Sequence, residues 1–252
     1  MRSLNEKTQR DHKELGLLIP GEIIKVGQGE FYLIRPNFAK LCNNADILNQ
    51  RYISTFDFIG RSKNRSINEL TNLLNTDPND IVYLDIETTG FSNTPLFLVG
   101  LLYFDSNKLV IDQLFARDYS EEVHLLQYFT EFVPRFTSLV TFNGKSFDIP
   151  FIRDRMIFHR KFLKWSHTHI DMLHHSRRRW KGEFPDCKLQ TLEYFVCNRR
   201  RENDVPSALV PEIYHDYVRS GNPEYISGIL YHNAIDLITL MELTLVILSH
   251  EL

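Results

Sequence analysis

The sequence predicts an α/β fold with a mixed five-stranded sheet, one strand of it antiparallel, flanked by helices. Three observations predict it. Ile81-Val82-Tyr83-Leu84 starts an apolar run of strand character, interrupted by Asp85 and Glu87. Two more β-prone runs, Phe97–Phe104 and Leu109–Arg117, are joined by the short turn Asp105-Ser106-Asn107, which makes them antiparallel neighbours. From Glu121 onward, helical and strand patterns alternate.

Taken in order, residues 1–20 are polar and expected to be loosely held, and Glu22–Arg35 holds two β-prone runs around Gly27-Gln28-Gly29 that read as a hairpin. Residues 36–66 carry no strong pattern. Ser66–Asn75 reads as a short helix with Ser66 and Glu69 at capping-box spacing and Leu70, Leu73 and Leu74 on one face. Asp77-Pro78-Asn79-Asp80 is a turn into the first carboxylate-bearing strand. Glu121–Val133 is amphipathic, with Val123, Leu126, Phe129 and Val133 facing inward. Leu139–Asn143 is a buried strand, and the segment after Asp148 is helical through Phe151, Ile152, Arg155 and Met156. Thr168–Leu173 supplies the fifth strand, and a long amphipathic helix runs from about Glu224 to Leu248. Residues 1–76 therefore form an N-terminal extension with a hairpin and a short helix, and residues 77–252 the domain proper.

A chain of 252 residues with 43% hydrophobic and 24% charged residues is ordinary for a soluble globular protein. Its net charge of −3 argues against a broadly basic nucleic-acid coat, so any such binding relies on local positive charge. Cys42, Cys187 and Cys197 form no C-x-x-C pair, and reduced thiols point to a cytoplasmic protein. The polar start lacks a secretory h-region, and no apolar run approaches membrane-spanning length. No membrane partner is expected.

Three contexts carry the chemistry. Asp85 and Glu87, two apart in a strand, project to the same face. Side by side and half-buried they repel each other, and a divalent cation offsets that penalty. Asp148 follows a strand end and the Asn143-Gly144-Lys145-Ser146 loop; taken alone it reads equally well as a helix N-cap. Asp236 lies in an apolar helix, with His232 about 40° from it around the axis and Tyr231 about 140° away. The histidines at 167, 169, 174 and 175 invite a zinc reading, but they lack H-E-x-x-H or paired cysteines.

Asp85-Ile86-Glu87-Thr88-Thr89-Gly90, the stretch from Asn143 to Phe147-Asp148, and the stretch from His232 to Asp236 resemble the three motifs of the RNase H-like exonuclease superfamily, the DnaQ-like or DEDD group. The chain is most similar to the bacterial YprB-like family. Val140–Asp148, His169-Ile170-Asp171-Met172-Leu173-His174 with Arg177-Arg178-Arg179-Trp180, Asp204-Val205-Pro206, and His232-Asn233-x-x-Asp236 carry that likeness. It runs from about residue 21 to residue 248. One DEDD subgroup has His five residues before the last Asp and another has Tyr four before it; here Tyr231 and His232 hold those positions, so the base is His232 or Tyr231.

The resemblance implies an RNase H-like fold and a metal-dependent 3′–5′ exonuclease acting on DNA or RNA, with a single-stranded end as partner. It implies two Mg²⁺ or Mn²⁺ ions held by Asp85, Glu87, Asp148 and Asp236, with Asp85 bridging, and His232 activating water. Thr88, Thr89, Gly90, Asn143 and Lys145 are the implied substrate contacts. Arg177–Lys181 and Arg199–Arg201 are the local basic clusters. An RNase H-type endonuclease and a non-cleaving nucleic-acid-binding module are the alternatives.

Overall fold

Alternation along β3 (Ile81–Thr88) separates the two faces of the sheet. Val82, Leu84 and Ile86 enter one core, and Ile81 and Tyr83 enter the other. Asp85 and Glu87 continue the second set, at the end of the strand. The computed structural model describes residues 15–59, 69–201 and 204–250.

The remaining strands are β1 (Glu22–Val26), β2 (Gly29–Ile34), β4 (Leu96–Asp105), β5 (Lys108–Phe115), β6 (Ser138–Thr141) and β7 (Thr168–Asp171). Their order in the sheet is β1-β2-β5-β4-β3-β6-β7. β3, β6 and β7 are parallel, and β4 runs antiparallel to both β3 and β5. The five central strands thus contain one antiparallel strand, as the sequence predicts. The sheet has seven strands rather than five because the hairpin joins it: Tyr32 of β2 lies opposite Phe115 of β5. Local sequence marks the hairpin but not the edge on which it docks. Its two-residue turn uses Gly27 at φ 62°, and the β4–β5 turn uses Ser106 and Asn107 at φ 49° and 65°, the positive values that primed hairpin turns require.

The patternless stretch after residue 36 holds α1 (Phe38–Leu41) and α2 (Ala45–Ile59). α2 buries Leu48, Tyr52 and Phe56, a narrow stripe at four-residue spacing that its many polar residues obscure. α3 (Glu69–Leu74) buries Leu70, Leu73 and Leu74; its expected Ser66 cap lies outside the described residues, as do residues 1–14. In α4 (Glu122–Phe132), Leu125 takes the core position expected of Val123, which is only half-buried. Then follow α5 (Asp148–Phe158), α6 (Met172–Trp180), α7 (Leu189–Val196), α8 (Val210–Ser220) and α9 (Glu224–His250).

α9 corrects one expectation. Glu224–Ser249 is long and apolar enough, by length and composition, to cross a membrane, yet 83% of its apolar window is buried inside the fold. It packs along β3 and β4 on the second face of the sheet and against α7, which accounts for its all-round apolar character.

Glu122 locks the opposite face. Its side chain, 2% exposed, accepts the Leu96 N–H at 2.8 Å, two Arg155 N–H bonds at 2.6 Å, and contacts His159 Nε2 at 2.8 Å. One carboxylate therefore ties α4 to the start of β4 and to α5. Glu122→Ala should lower the unfolding free energy by about 3–5 kcal/mol, because Arg155 becomes a buried unpaired cation. Urea denaturation should show part of that loss restored in Glu122→Ala/Arg155→Met. Equal losses in the two variants would contradict the ion-pair account.

Candidate active site

Each expected carboxylate reaches the site by a different local device. Beyond Glu87 the β3–β4 register shifts at a bulge, and the chain turns through a loop that satisfies its own polar groups. Thr88 Oγ1 donates to the Gly90 carbonyl at 2.7 Å, and the Thr89 N–H donates to Pro95 O at 3.0 Å.

The second segment is shaped by Asp171. Its buried carboxylate accepts the N–H groups of Asn143 at 2.8 Å, Lys145 at 3.0 Å and Leu173 at 3.1 Å. Asn143 adopts φ 64°, a left-handed conformation that asparagine tolerates better than most residues. The loop then delivers Asp148 as the first residue of α5; Phe147, not Asp148, occupies the cap position. Asp148 is 5% exposed, with the backbone N–H groups of its own residue and of Ile86 on β3 near enough to its carboxylate to favour the charged form.

The third segment is one face of α9. Asn233 Nδ2 donates to Asp85 Oδ2 at 2.8 Å, while Gln113 Nε2 donates to Asn233 Oδ1 at 2.9 Å and to Leu230 O at 2.7 Å. Gly100, paired with Asp85 across β3–β4, leaves room for this amide: a methyl group there would meet Asn233 Oδ1 at 2.3 Å.

Asp85, Glu87, Asp148, Asp236 and His232 all line one cavity of about 370 Å³, with Thr88, Gly90 and Asn143 on its wall. Phe91, 93% exposed, stands at its rim. Two expected substrate contacts do not line it. Thr89 is buried in its loop, and Lys145 Nζ turns away to pair with Glu69 at 3.0 Å. The helix also separates the two candidate bases: His232 is 4% exposed in the cavity, whereas Tyr231, 40% exposed, lines a groove elsewhere.

The electrostatics of the cavity are unfavourable to negative charge. Burial, then the neighbouring carboxylates, hold Asp85 and Glu87 well above the usual carboxylate range. Burial, with Asp171 and Asp236 adding, pushes Asp148 up to about 7 against the pull of its two backbone N–H groups. Asp236 is raised by burial and pulled back by Arg201 and His232.

Sequence reasoning missed Arg201, Asp204 and Glu193. The Arg201 side chain, 7% exposed, bonds Glu193 at 2.9 Å and Asp204 at 3.3 Å and also grips Asp236. Asp204 Oδ1 lies 2.8 Å from His232 Nδ1, and His232 Nε2 lies 3.4 Å from Asp236 Oδ2. Asp204-Val205-Pro206 was visible as a motif, but nothing local signals its partner. The Arg199–Arg201 cluster is likewise not a free basic patch: Arg199 pairs with Glu242 and Arg201 is buried, which leaves Arg200 exposed.

Among the described residues, no three acidic, histidine or cysteine side chains are gathered closely enough to form a ready-made cation cage. Arg201 and Asn233 occupy oxygens of Asp236 and Asp85. The donor set nonetheless fits a hard divalent ion: all are carboxylate oxygens around one cavity, and their mutual repulsion is what such an ion would relieve. The zinc reading gains nothing. His169 bonds Thr141 Oγ1 at 2.8 Å, His167 bonds Val133 O at 3.0 Å, and burial depresses His169 to about 4.

A model of the RNase_H superfamily matches residues 82–247. A Bacillus subtilis (strain 168) protein described as uncharacterized protein YprB is 33% identical over 170 residues, which cover 66% of this chain and 41% of that relative. The family B DNA polymerase from the hyperthermophilic archaeon Pyrobaculum calidifontis superposes with a TM-score of 0.54 at 15% identity, over 66% of this chain and 24% of that one. At that identity the likeness is one of fold.

A carboxyl group with a raised folded-state pKa contributes fully to stability below its unfolded value and loses that contribution as pH rises. For Asp148 the window runs from 3.8 to about 7. The ion-free protein should therefore melt lower at about pH 8 than at about pH 5, and Asp148→Asn should reduce that difference. Mg²⁺ or Mn²⁺ should raise the melting temperature more at the higher pH, because ions and protons compete for the same oxygens. An ion-induced shift of equal size at both pH values in calorimetry would contradict the assignment.

Proposed function

This chain belongs to the RNase H superfamily, and on that premise we propose that it is a metal-dependent 3′–5′ exonuclease acting on DNA or RNA. The observation that carries the reading is the convergence of Asp85, Glu87, Asp148, Asp236 and His232, from three separated segments, on one cavity. The likeness of their motifs to DnaQ-like exonucleases supports the direction of attack. The chain spans 41% of its Bacillus subtilis relative, so the proposal concerns the chemistry of this chain.

Asp85, Glu87, Asp148 and Asp236 are the proposed residues that would hold two Mg²⁺ or Mn²⁺ ions. When bound, such ions would stabilise the attacking and leaving oxygens of an in-line displacement. His232 is the proposed general base. With its Nδ1 directed at the Asp204 carboxylate, an Nδ1–H donor leaves the Nε2 lone pair, 3.4 Å from Asp236 Oδ2 and so beside a proposed ligand, to take a proton from water. Arg201 restrains Asp236 and Asp204 together, which fixes the imidazole relative to the ligand one helical turn later. Thr88, Gly90 and Asn143 form the wall against which a terminal nucleotide would lie. The exposed face of Phe91 offers an unpaired base a stacking surface, which favours a single-stranded end.

Asp85→Ala and Asp236→Ala should each abolish Mg²⁺-dependent shortening of end-labelled oligonucleotides, and His232→Ala should slow it by about 10²–10⁴-fold. Asp204→Asn should give a smaller loss, since it disturbs only the orientation and tautomer of the base. Full activity in either aspartate variant would refute the ligand set. Cleavage of closed circular substrates would favour the endonuclease, and binding without turnover in Mg²⁺ and Mn²⁺ the non-cleaving module.

A further inference from the structure

Two surface cavities outside the catalytic cleft bracket an exposed aromatic pair. One, of about 370 Å³, is lined by Tyr194, Arg200, Arg201 and Asp204 among others. Arg201 and Asp204 are the residues that touch Asp236 and His232, so this cavity abuts the cleft. The other, of about 530 Å³, is lined by Arg177, Lys181 and Phe184. The two are linked by rings: Phe184 stacks on Phe195 at 4.8 Å and 10°, and Phe195 meets Tyr194 edge-on at 4.8 Å. Tyr194 and Phe195 are 41% and 48% exposed.

Cations alternate with these rings. The Arg200 guanidinium lies 4.9 Å from the Tyr194 ring centre, and Arg177, Lys181 and Arg200 are all exposed. The acidic groups lining the two cavities are Glu193, Asp204 and Asp186, of which Glu193 and Asp204 are paired with Arg201. Asp186 is engaged locally, accepting the Lys188 N–H at 2.9 Å, with Lys188 Nζ 3.7 Å from its carboxylate. In a chain of net charge −3, a basic and aromatic face beginning at the wall of an acidic cleft is a local reversal of field. Flat rings interleaved with guanidinium groups suit a flexible polyanion whose own rings can stack.

We propose that the face running from Arg200 and Tyr194 past Phe195 and Phe184 to Arg177 and Lys181 is the track for a single-stranded polynucleotide, holding the portion of the strand that leads away from the cleft. This rests on the nuclease reading of the cleft and adds to it a requirement for length. The cleft takes the terminal nucleotides, and the track holds upstream phosphates and bases.

The test compares the wild-type chain with Arg177→Ala/Lys181→Ala/Arg200→Ala and with Tyr194→Ala, all at exposed positions. Binding of fluorescent single strands of about 4 and about 20 nucleotides is followed by anisotropy over a KCl series, with Ca²⁺ in place of Mg²⁺. Hydrolysis of a dinucleotide is measured in Mn²⁺. The triple variant should bind the longer strand about tenfold or more weakly, with its salt slope reduced by about 2. Tyr194→Ala should weaken it about tenfold without changing that slope. Short-strand binding and dinucleotide turnover should stay at wild-type levels in both. Unchanged affinity for the longer strand, or equal losses for both lengths, would overturn the track while leaving the nuclease reading intact. A wild-type chain that neither binds the strands nor cleaves the dinucleotide would remove both.

Discussion

The crowding of partly buried negative charge at one end of β3 is the constraint around which the rest is organised. Asp85, Glu87, Asp148 and Asp236 raise one another's proton affinity, and burial raises it further. A fold gains nothing in stability from such an arrangement. It persists only where the surroundings offset it, and here each carboxylate has its own offset. Asp85 receives the Asn233 amide, backbone N–H groups near Asp148 favour its charged form, Arg201 grips Asp236, and the charge of Arg201 also favours ionised Glu87. Repulsion that the protein only partly relieves is also what makes a divalent cation a fitting guest.

These offsets reach well into the scaffold. Asn233 can serve Asp85 only because Gly100 carries no side chain and Gln113 holds the amide from β5. Asp148 arrives at β3 because the Asp171 carboxylate gathers the N–H groups of the preceding loop. The helix that Asp148 begins is held by Arg155 to Glu122, which also anchors the first residue of β4. Arg201 in turn is fixed by Glu193, itself bonded by Thr239 of α9. Both faces of the sheet thus contribute to one cavity.

Much of this is legible residue by residue. The period-two alternation of β3, the tight β4–β5 turn and the 100° step of α9 are local rules. They suffice to place Asp85 with Glu87 on one face, and His232 with Asp236 on another. Other features escape such rules. Arg201 reads in sequence as part of an Arg-Arg-Arg surface run, and Asp204 as a loop residue before proline, because the partners that tie them to the cavity, Asp236 and His232, lie 35 and 28 positions away. Lys145 sits within a motif yet turns to Glu69, a residue 76 positions distant. The stripe of α2 is too narrow and too interrupted to stand out.

By itself, then, the sequence determined the type and order of the central strands and helices, and which acidic side chains share a face within each element. Those choices follow from backbone geometry and near-neighbour spacing. Only the tertiary structure decided that the hairpin extends the sheet, that the most apolar helix lies inside the fold, and that one buried arginine links Asp236 to Asp204 and Glu193. Such outcomes depend on which surfaces meet across long stretches of chain, where burial and charge compensation select the partner and local periodicity carries no record of it.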